Sequence, residues 1–479
     1  MTHPEVWSHA PQGTALLAII LQYYSAWLAH RDAMRRPVSD LVRREFERFF
    51  QCGDPAYGYA VLGCDGCGFA YAFASSCKGR AWCPHCLSRR QATYTVRLVD
   101  GVFAGLPVRH WVICFPPRLR YTLGFDPPIL TASVGAFTRS IFQYLRRKAK
   151  RELKLKSLDL ARPGAVSFIH RSSASLDTNV HFHALVPDGV FIRRGPGGPV
   201  EFHPLSAPTD AEIEWVAWRS CQRVCKALEE RGFWQWTSTP SPGERFEGIL
   251  TFGGPRARSA TFFAQAARHG EGGVSPRDGA YAFHVNADHL VEAGDRRGLE
   301  ELVAYVLAPP LADAQVFLRE GRVVIAMKRH RRNGASEVVM TPFTLLDRFA
   351  ALVPRRRSHG IRYHGAYGPN AEGREDIMPW RPPAPDAPAD GARDAAASAD
   401  RLLEAAFQAR HHSPDVLICP HCALKLTIAE VVTPRLRYRK AAWLPPDDPL
   451  TQRVQDRGEA ERLAGRHGGR IEKCSLYGH

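Results

Sequence analysis

The chain has 479 residues, more than one hydrophobic core usually serves, and 45% of them are hydrophobic, so a disordered protein is excluded and two or three packed domains are expected. Sixty-four Lys and Arg against 48 Asp and Glu leave a formal charge of +16 and a pI near 9.5, an excess that attracts polyanions, nucleic acid first among them. Met1 to Thr14 holds no Lys or Arg, and Gln22 and Ser25 interrupt the apolar stretch from Ala15 to Leu28. That fits neither a signal peptide nor a spanning helix, so a cytoplasmic, nucleoid-associated protein with no membrane partner is expected. In that compartment the 12 cysteines read as thiols and thiolates and not as a disulfide framework.

Residues 15 to 50 have helical periodicity, first through Leu16, Ile19, Ile20, Tyr23, Trp27 and Leu28, then through a basic amphipathic stretch from Leu41 to Phe50. Next come Cys64-Asp-Gly-Cys67 and, fifteen residues on, Cys83-Pro-His-Cys86. Two Cys-x-x-Cys pairs so separated can close a tetrahedral thiolate shell, so Cys64, Cys67, Cys83 and Cys86 are the expected ligands of a structural zinc ion. Cys52 and Cys77 lie close by in sequence as alternative ligands.

From about Val108 the texture changes to short runs of β-formers, 110–115, 165–169 and 180–186, between helical patterns at about 130–156 and 210–231. A strand at 280–285, a helix at 296–307 and a hairpin built from 315–318, 322–328 and 337–340 complete an α+β pattern. Residues 379 to 400, rich in Pro, Ala and Asp, read as a linker before a basic tail. In that tail Cys419-Pro-His-Cys422 is half a zinc ribbon, with His411, His412 and Cys474 the only residues near or beyond it to complete a shell.

Within the run 180–186, His181 and His183 flank Phe182, and strand alternation sends both imidazoles to one face, a geometry suited to two metal ligands. Histidines on a solvated strand would show the same spacing.

Here the chain resembles a known family. The segment from Asn179 to Val190 is similar to the metal-binding strand of HUH transposases of the insertion sequence ninety-one group, including the related common-region elements. In chain order the resemblance extends to Ser76-Cys-Lys-Gly-Arg80 with Cys83 to Cys86, Val108-Arg-His-Trp-Val-Ile113, Tyr305-Val-Leu-Ala-Pro-Pro-Leu-Ala312, and Arg362-Tyr-His-Gly365 with Pro369-Asn370. It implies a nuclease domain with a central antiparallel sheet flanked by helices, preceded by a small helical zinc-binding module. The boundaries it suggests are 1–105 for the N-terminal region, with the module at about 52–90, then 106–370 for the nuclease, 371–400 for a linker and 401–479 for the tail. It further implies a divalent ion, magnesium or manganese, on His181 and His183, and a tyrosine on a nearby helix that attacks single-stranded DNA at element ends.

The residues allow a separate check on that tyrosine. After Asp295, an N-cap candidate, Leu299, Leu302, Val303, Val306 and Leu307 form one apolar stripe, and Tyr305 falls off it. Relatives often carry a second tyrosine four residues away. Here those positions hold Glu301 and Pro309, which resembles the single-tyrosine branch, and Ala308 stands where relatives often have Arg. Tyr363 and Tyr367 have the four-residue spacing, but Gly365, Gly368 and Pro369 argue against a helix there, which makes them the second choice.

His170 and His284 are the candidates for a third ligand to the divalent ion. For DNA backbone contacts the basic clusters are Arg146, Arg147, Lys148, Lys150, Arg151, Lys154 and Lys156, and Lys328, Arg329, Arg331 and Arg332. No Gly-x-x-x-x-Gly-Lys-Ser/Thr loop is present, in keeping with strand transfer that needs no nucleotide cofactor. Two other readings stand beside a transposase: a plasmid or phage replication initiator or relaxase of the same chemistry, and a zinc-containing DNA-binding protein without catalysis.

Overall fold

The computed structural model of the chain describes residues 6–7, 14–195, 197–238, 240–241, 244–250, 258–266, 280–327, 335–355, 358–378, 427–432, 437–440 and 469–472. It opens with the short strand β1 (Val6–Trp7) and two helices, α1 (Ala15–Ala33) and α2 (Asp40–Phe50). The Thr14 hydroxyl caps α1 by accepting from the Leu17 N–H. The two stretches of helical periodicity within 15–50 form these two helices, separated where Arg35 takes a left-handed φ of 56° and Pro37 follows, since neither conformation continues an α-helix. Strands β2 (Tyr59–Gly63) and β3 (Ala70–Ala74) then form an antiparallel hairpin, and α3 (Pro84–Gly101) begins inside the second Cys-x-x-Cys.

Strand β4 (Val108–Cys114) leads to α4 (Pro117–Phe125) and the long α5 (Pro127–Glu152). The pattern expected to run as far as 156 stops at Glu152, because Leu153 caps the helix and Lys154 adopts φ 50°. There follow β5 (Gly164–Ser172), β6 (Thr178–Pro187), β7 (Gly189–Arg193), β8 (Val200–Pro204) and α6 (Asp210–Glu229), which Thr209 and Glu212 start with a reciprocal capping box. Next are β9 (Trp234–Trp236), β10 (Phe246–Leu250), β11 (Arg258–Ala266), β12 (Ala280–Val291) and α7 (Arg296–Val306). The chain continues through β13 (Val316–Arg319), β14 (Arg322–Ala326), β15 (Glu337–Met340), α8 (Pro342–Leu352), β16 (Ile361–Gly365) and the single-turn α9 (Arg374–Ile377), and ends in β17 (Thr427–Val432), β18 (Arg437–Lys440) and β19 (Gly469–Glu472).

These elements form two units, and the division is not sequential. One unit takes the chain up to Thr93, then Ala308–Val353 and the C-terminal strands; the other takes Tyr94–Leu307 and the segment from Pro354 that carries β16 and α9. In the first unit a sheet runs β1-β3-β2-β17-β18-β19, with Gly63 paired to Thr427, and a separate sheet runs β13-β14-β15. Its core is aromatic: Trp27, Phe46, Phe49 and Trp82 are buried, Trp82 stacks on Phe349 at 4.6 Å, and the Trp27 indole donates to Asp347.

The second unit is built on an eight-stranded sheet in the order β16-β5-β6-β4-β12-β11-β10-β9. The resemblance implied an antiparallel sheet, and every pair is antiparallel except β11 with β12, so the sheet is mixed. Alternation along the central strands divides its faces. Phe182 and Ala184 of β6 join Trp111 and Ile113 of β4 in the core made with α4, α5 and α6, while Leu185, Val166 and Phe168 point to the other core, where α3 and α7 pack. The histidines of β5 and β6 belong to that second face.

The Arg109–Asp188 pair ties β4 to the corner after β6 at 2.6 Å, with 6% and 12% of the side chains exposed, and Arg109 also donates to the Ala287 carbonyl. That pairing had no signal in the sequence, since 79 residues separate its partners.

Candidate active site and zinc centre

Strand register assembles the histidine cluster. His170 of β5 is directly opposite His181 of β6, and β5 and β6 are adjacent central strands. With His183 two residues on, three imidazoles share one face, and one ring nitrogen from each lies within 4.8 Å of the others. Hydrogen bonds orient two of the rings. His181 Nδ1 is 2.8 Å from the Asn179 carbonyl and His170 Nε2 is 2.7 Å from the Val306 carbonyl. Carbonyls only accept, so both nitrogens carry protons, and the lone pairs left for a metal are His181 Nε2 and His170 Nδ1. The third ring, His183, is 2% exposed and its buried Nε2 has no hydrogen-bond partner.

Burial pushes His170, His181 and His183 below the ordinary histidine range, His181 to about 4, and the neighbouring imidazoles add to the shift for His181 and His183. Neutral imidazole is the form that ligates a metal, so the donor set fits a divalent ion. His284, the other third-ligand candidate, is on β12 opposite Cys114, two strands from His181, and does not join the group.

Helix α7 brings Tyr305 to this face. Leu299, Leu302, Val303 and Val306 are buried along the stripe, whereas Tyr305 is 60% exposed. Its ring meets His183 edge-on at 6.0 Å between centroids and meets His110 at 6.1 Å. The carbonyl that His170 holds belongs to Val306, the next residue, so a candidate ligand and the tyrosine-bearing helix end are tied together.

Tyr363 and Tyr367 are poorly placed for nucleophilic attack. Tyr363 is on strand β16, and Tyr367 is fully buried against Phe103 and Phe191; both hydroxyls are buried without a partner, and burial raises both phenols. Two histidines beside the cluster escaped the sequence reading. His110 of β4 is 2.8 Å from His183, and His289 of β12 lies opposite His110 with its ring 6.3 Å away. His110 lies in the run Val108–Ile113, but only the register of β4 on β6 reveals what it faces.

The cysteines assemble differently from the expected set. Cys83 and Cys86 meet Cys52 and Cys77, not Cys64 and Cys67. The reason is the β2–β3 hairpin. Cys64 and Cys67 are in its turn, whereas Ser75 and Cys77 emerge at its other end, where Ser75 accepts from Gly53 N–H, beside Cys52. Four residue steps at about 3.3 Å separate the two ends of β2, too far for one ion.

Among the four gathered sulfurs the separations are 3.9 Å for Cys52–Cys83, 3.7 Å for Cys52–Cys86 and 3.3 Å for Cys77–Cys86. A tetrahedral shell at a Zn–S distance of ~2.3 Å places sulfurs about 3.8 Å apart, so the cluster fits zinc. Hydrogen bonds to Cys86 from Cys52, Cys77 and Cys83 push its thiol down, while Cys77 and Cys83 are pushed up. The Ser76-Cys-Lys-Gly-Arg80 motif shapes this turn: Lys78 takes φ 51°, and a Cβ on Gly79 would meet Cys77 Sγ at 3.1 Å and Cys83 Cβ at 3.3 Å. Cys419 and Cys422 lie outside the described residues.

Not all of the basic residues face outward. Lys148 is 2% exposed, its ammonium donating to Glu212 at 2.8 Å and to the Ala207 carbonyl, so it is an internal ion pair and not a phosphate contact. Arg146 is half-buried against the Ala161 carbonyl, Arg147 is over the Trp215 ring at 5.1 Å, and Arg151 pairs with Glu212. Lys150 is exposed at the end of α5, and Lys154 and Lys156 are exposed beyond it. Lys328, Arg329, Arg331 and Arg332 lie outside the described residues.

Comparison with known families gives two matches. Residues 19–115 match a family model described as a transposase zinc-binding domain, and residues 164–374, which hold His170, His181, His183 and Tyr305, match one described as a putative transposase. An α+β chain with these two parts is a DNA transposase, a DNA-cutting enzyme that carries its own zinc-binding domain. The two matches together fit a transposase of the insertion sequence ninety-one family. Among curated proteins and among solved structures, nothing matches the chain significantly. Among the described residues no helix is long and apolar enough to cross a membrane.

Proposed function

We propose that this transposase cuts single-stranded DNA at element ends by tyrosine transesterification, with Tyr305 as nucleophile and His170, His181 and His183 as the ligands of a divalent ion. The observation that carries this reading is the edge-on placement of the Tyr305 ring on His183, at a face where three neutral imidazoles converge. A divalent ion there supplies charge neutralisation and orientation at a phosphate. Three imidazoles without a carboxylate suit manganese better than magnesium.

In the cutting step the Tyr305 phenolic oxygen bonds to phosphorus, the phosphorus bond to the 3′-oxygen breaks, and the phenolic proton passes to solvent while the departing oxygen takes one up. The products are a 5′-phosphotyrosine and a free 3′-hydroxyl. Attack by a DNA 3′-hydroxyl on that linkage reverses the step and rejoins strands, as rolling-circle-like transposition requires. One phosphodiester replaces another, so no nucleotide cofactor is needed. Helix α7 keeps Tyr305 accessible while its apolar stripe anchors it, and the His170 hydrogen bond to Val306 holds the helix end against the cluster. Exposed Lys150 and Arg147 serve as backbone phosphate contacts.

Incubation with end-labelled single-stranded DNA and manganese, followed by denaturing electrophoresis, tests the assignment. Wild-type chain is expected to form a covalent adduct, and Tyr305→Phe is expected to form none. An undiminished adduct from Tyr305→Phe would overturn the choice of nucleophile.

A further inference from the structure

We infer that His110 is a positioning residue for metal binding, fixing the tautomer and ring plane of His183 through a histidine–histidine hydrogen bond. The inference rests on the proposed metal site and extends it to a residue outside the matched segment 164–374.

The geometry has three parts. His110 Nε2 is 2.8 Å from His183 Nδ1, a hydrogen-bond distance, and the two rings are within 10° of parallel. His110 is 7% exposed and His183 2%, so water does not substitute freely for either partner. The opposite nitrogen of His183, Nε2, is buried and without a hydrogen-bond partner, on the ring that lies 4.2 Å from His170 and 5.0 Å from His181 between centroids.

A neutral imidazole has one N–H and one lone pair, so these positions leave one consistent assignment. His183 ligates through Nε2 only if its proton sits on Nδ1, and that proton is then donated to His110 Nε2. His110 must therefore be the tautomer protonated on Nδ1. The other two candidate ligands are fixed in the same manner by backbone carbonyls, at Asn179 and Val306. At His183 a side chain takes the place of a carbonyl, because β4 supplies the partner: Val112 lies opposite His183, and His110 is two residues along on the same face. Partners of metal-bound histidines in this position hold the ring and raise its basicity, and their loss typically costs about 10–100-fold in metal affinity.

The test is manganese affinity, read by electron paramagnetic resonance on the full chain with its zinc retained, for wild type, His110→Leu, His110→Gln and His183→Ala. His110→Leu removes the acceptor and is expected to weaken binding about 10–100-fold. His110→Gln places an amide oxygen near the Nε2 position and is expected to restore affinity to within a few-fold of wild type. Equal affinity of wild type and His110→Leu overturns the inference, as does a His110→Gln loss as deep as that of His110→Leu.

The proposed site fails separately. If wild type binds no manganese, or His183→Ala binds as wild type does, the histidine cluster is not the metal site and the role of His110 goes with it. Should His110→Leu not fold, the imidazole nitrogen shifts of wild-type chain decide the matter: a His183 proton on Nδ1 supports the inference, and a proton on Nε2 overturns it.

Discussion

Cys77 shows how much one residue position can decide. The adjoining residues hold its sulfur in the cluster: its own N–H points at Cys52 Sγ at 3.4 Å, and Gly79 N–H donates to Cys77 Sγ at 3.3 Å. Replacing it leaves three ligands where a closed structural site needs four. Cys77→Ser is expected to lower the zinc content of the purified chain and to make the first unit melt earlier, measured by metal analysis and thermal denaturation. Structural zinc contributes roughly 10–16 kcal/mol in small peptides, comparable to the ~5–15 kcal/mol net stability of a domain.

His364 gives a residue-scale prediction of pH dependence. It lies on β16, its Nε2 is 2.7 Å from Ser167 Oγ, and burial, reinforced by the Arg362 charge, lowers it to about 4. The folded value is below the unfolded one, so the unfolded chain binds the proton first, and stability falls as pH drops from about 6.5 towards 4. For a partly buried group the loss at pH 5 is about 1–2 kcal/mol relative to pH 7.5. Denaturant melts at the two pH values should show a smaller loss for His364→Gln than for wild type.

At the scale of elements, α5 and α6 illustrate why charge clusters mislead. Lys148 occurs in a run of cations, yet it faces α6 and meets Glu212, which also closes the capping box of that helix. Removing the lysine takes the closer of two cations from a partly solvated carboxylate, leaving it Arg151, and empties a buried site. Lys148→Ala is therefore expected to cost about 2–3 kcal/mol of stability while leaving the salt dependence of DNA binding unchanged, as read by melting and by titration across salt concentrations. Helix α7 is the converse case. Its apolar stripe was legible from spacing, and so was the displacement of Tyr305 from it, because 100° per residue is a property of any α-helix.

For the whole molecule, the charge of +16 applies to a chain whose partner is DNA. Affinity for single strands should fall linearly on a log–log plot against salt. With about six phosphate contacts the loss between 50 and 200 mM is on the order of 10²–10³-fold, and fluorescence anisotropy of a labelled oligonucleotide measures it. A flat salt response would deny backbone neutralisation its part in binding.

What the amino-acid sequence determined by itself was whatever depends on local periodicity or on short spacing: the α+β alternation, the shared face of His181 and His183, the exposure of Tyr305, and the presence of a thiolate centre near Cys83 and Cys86. What only the tertiary structure decided were partners brought together from distant segments. Cys52 and Cys77 displaced Cys64 and Cys67 because a hairpin carries the two ends of the spacer apart. His170, and not His284, joined the imidazole pair because β5 is beside β6, and His110 met His183 because β4 flanks β6 on the other side. Side-chain alternation is written into each strand, but strand order and register arise from the packing of the whole sheet, and no single segment contains them.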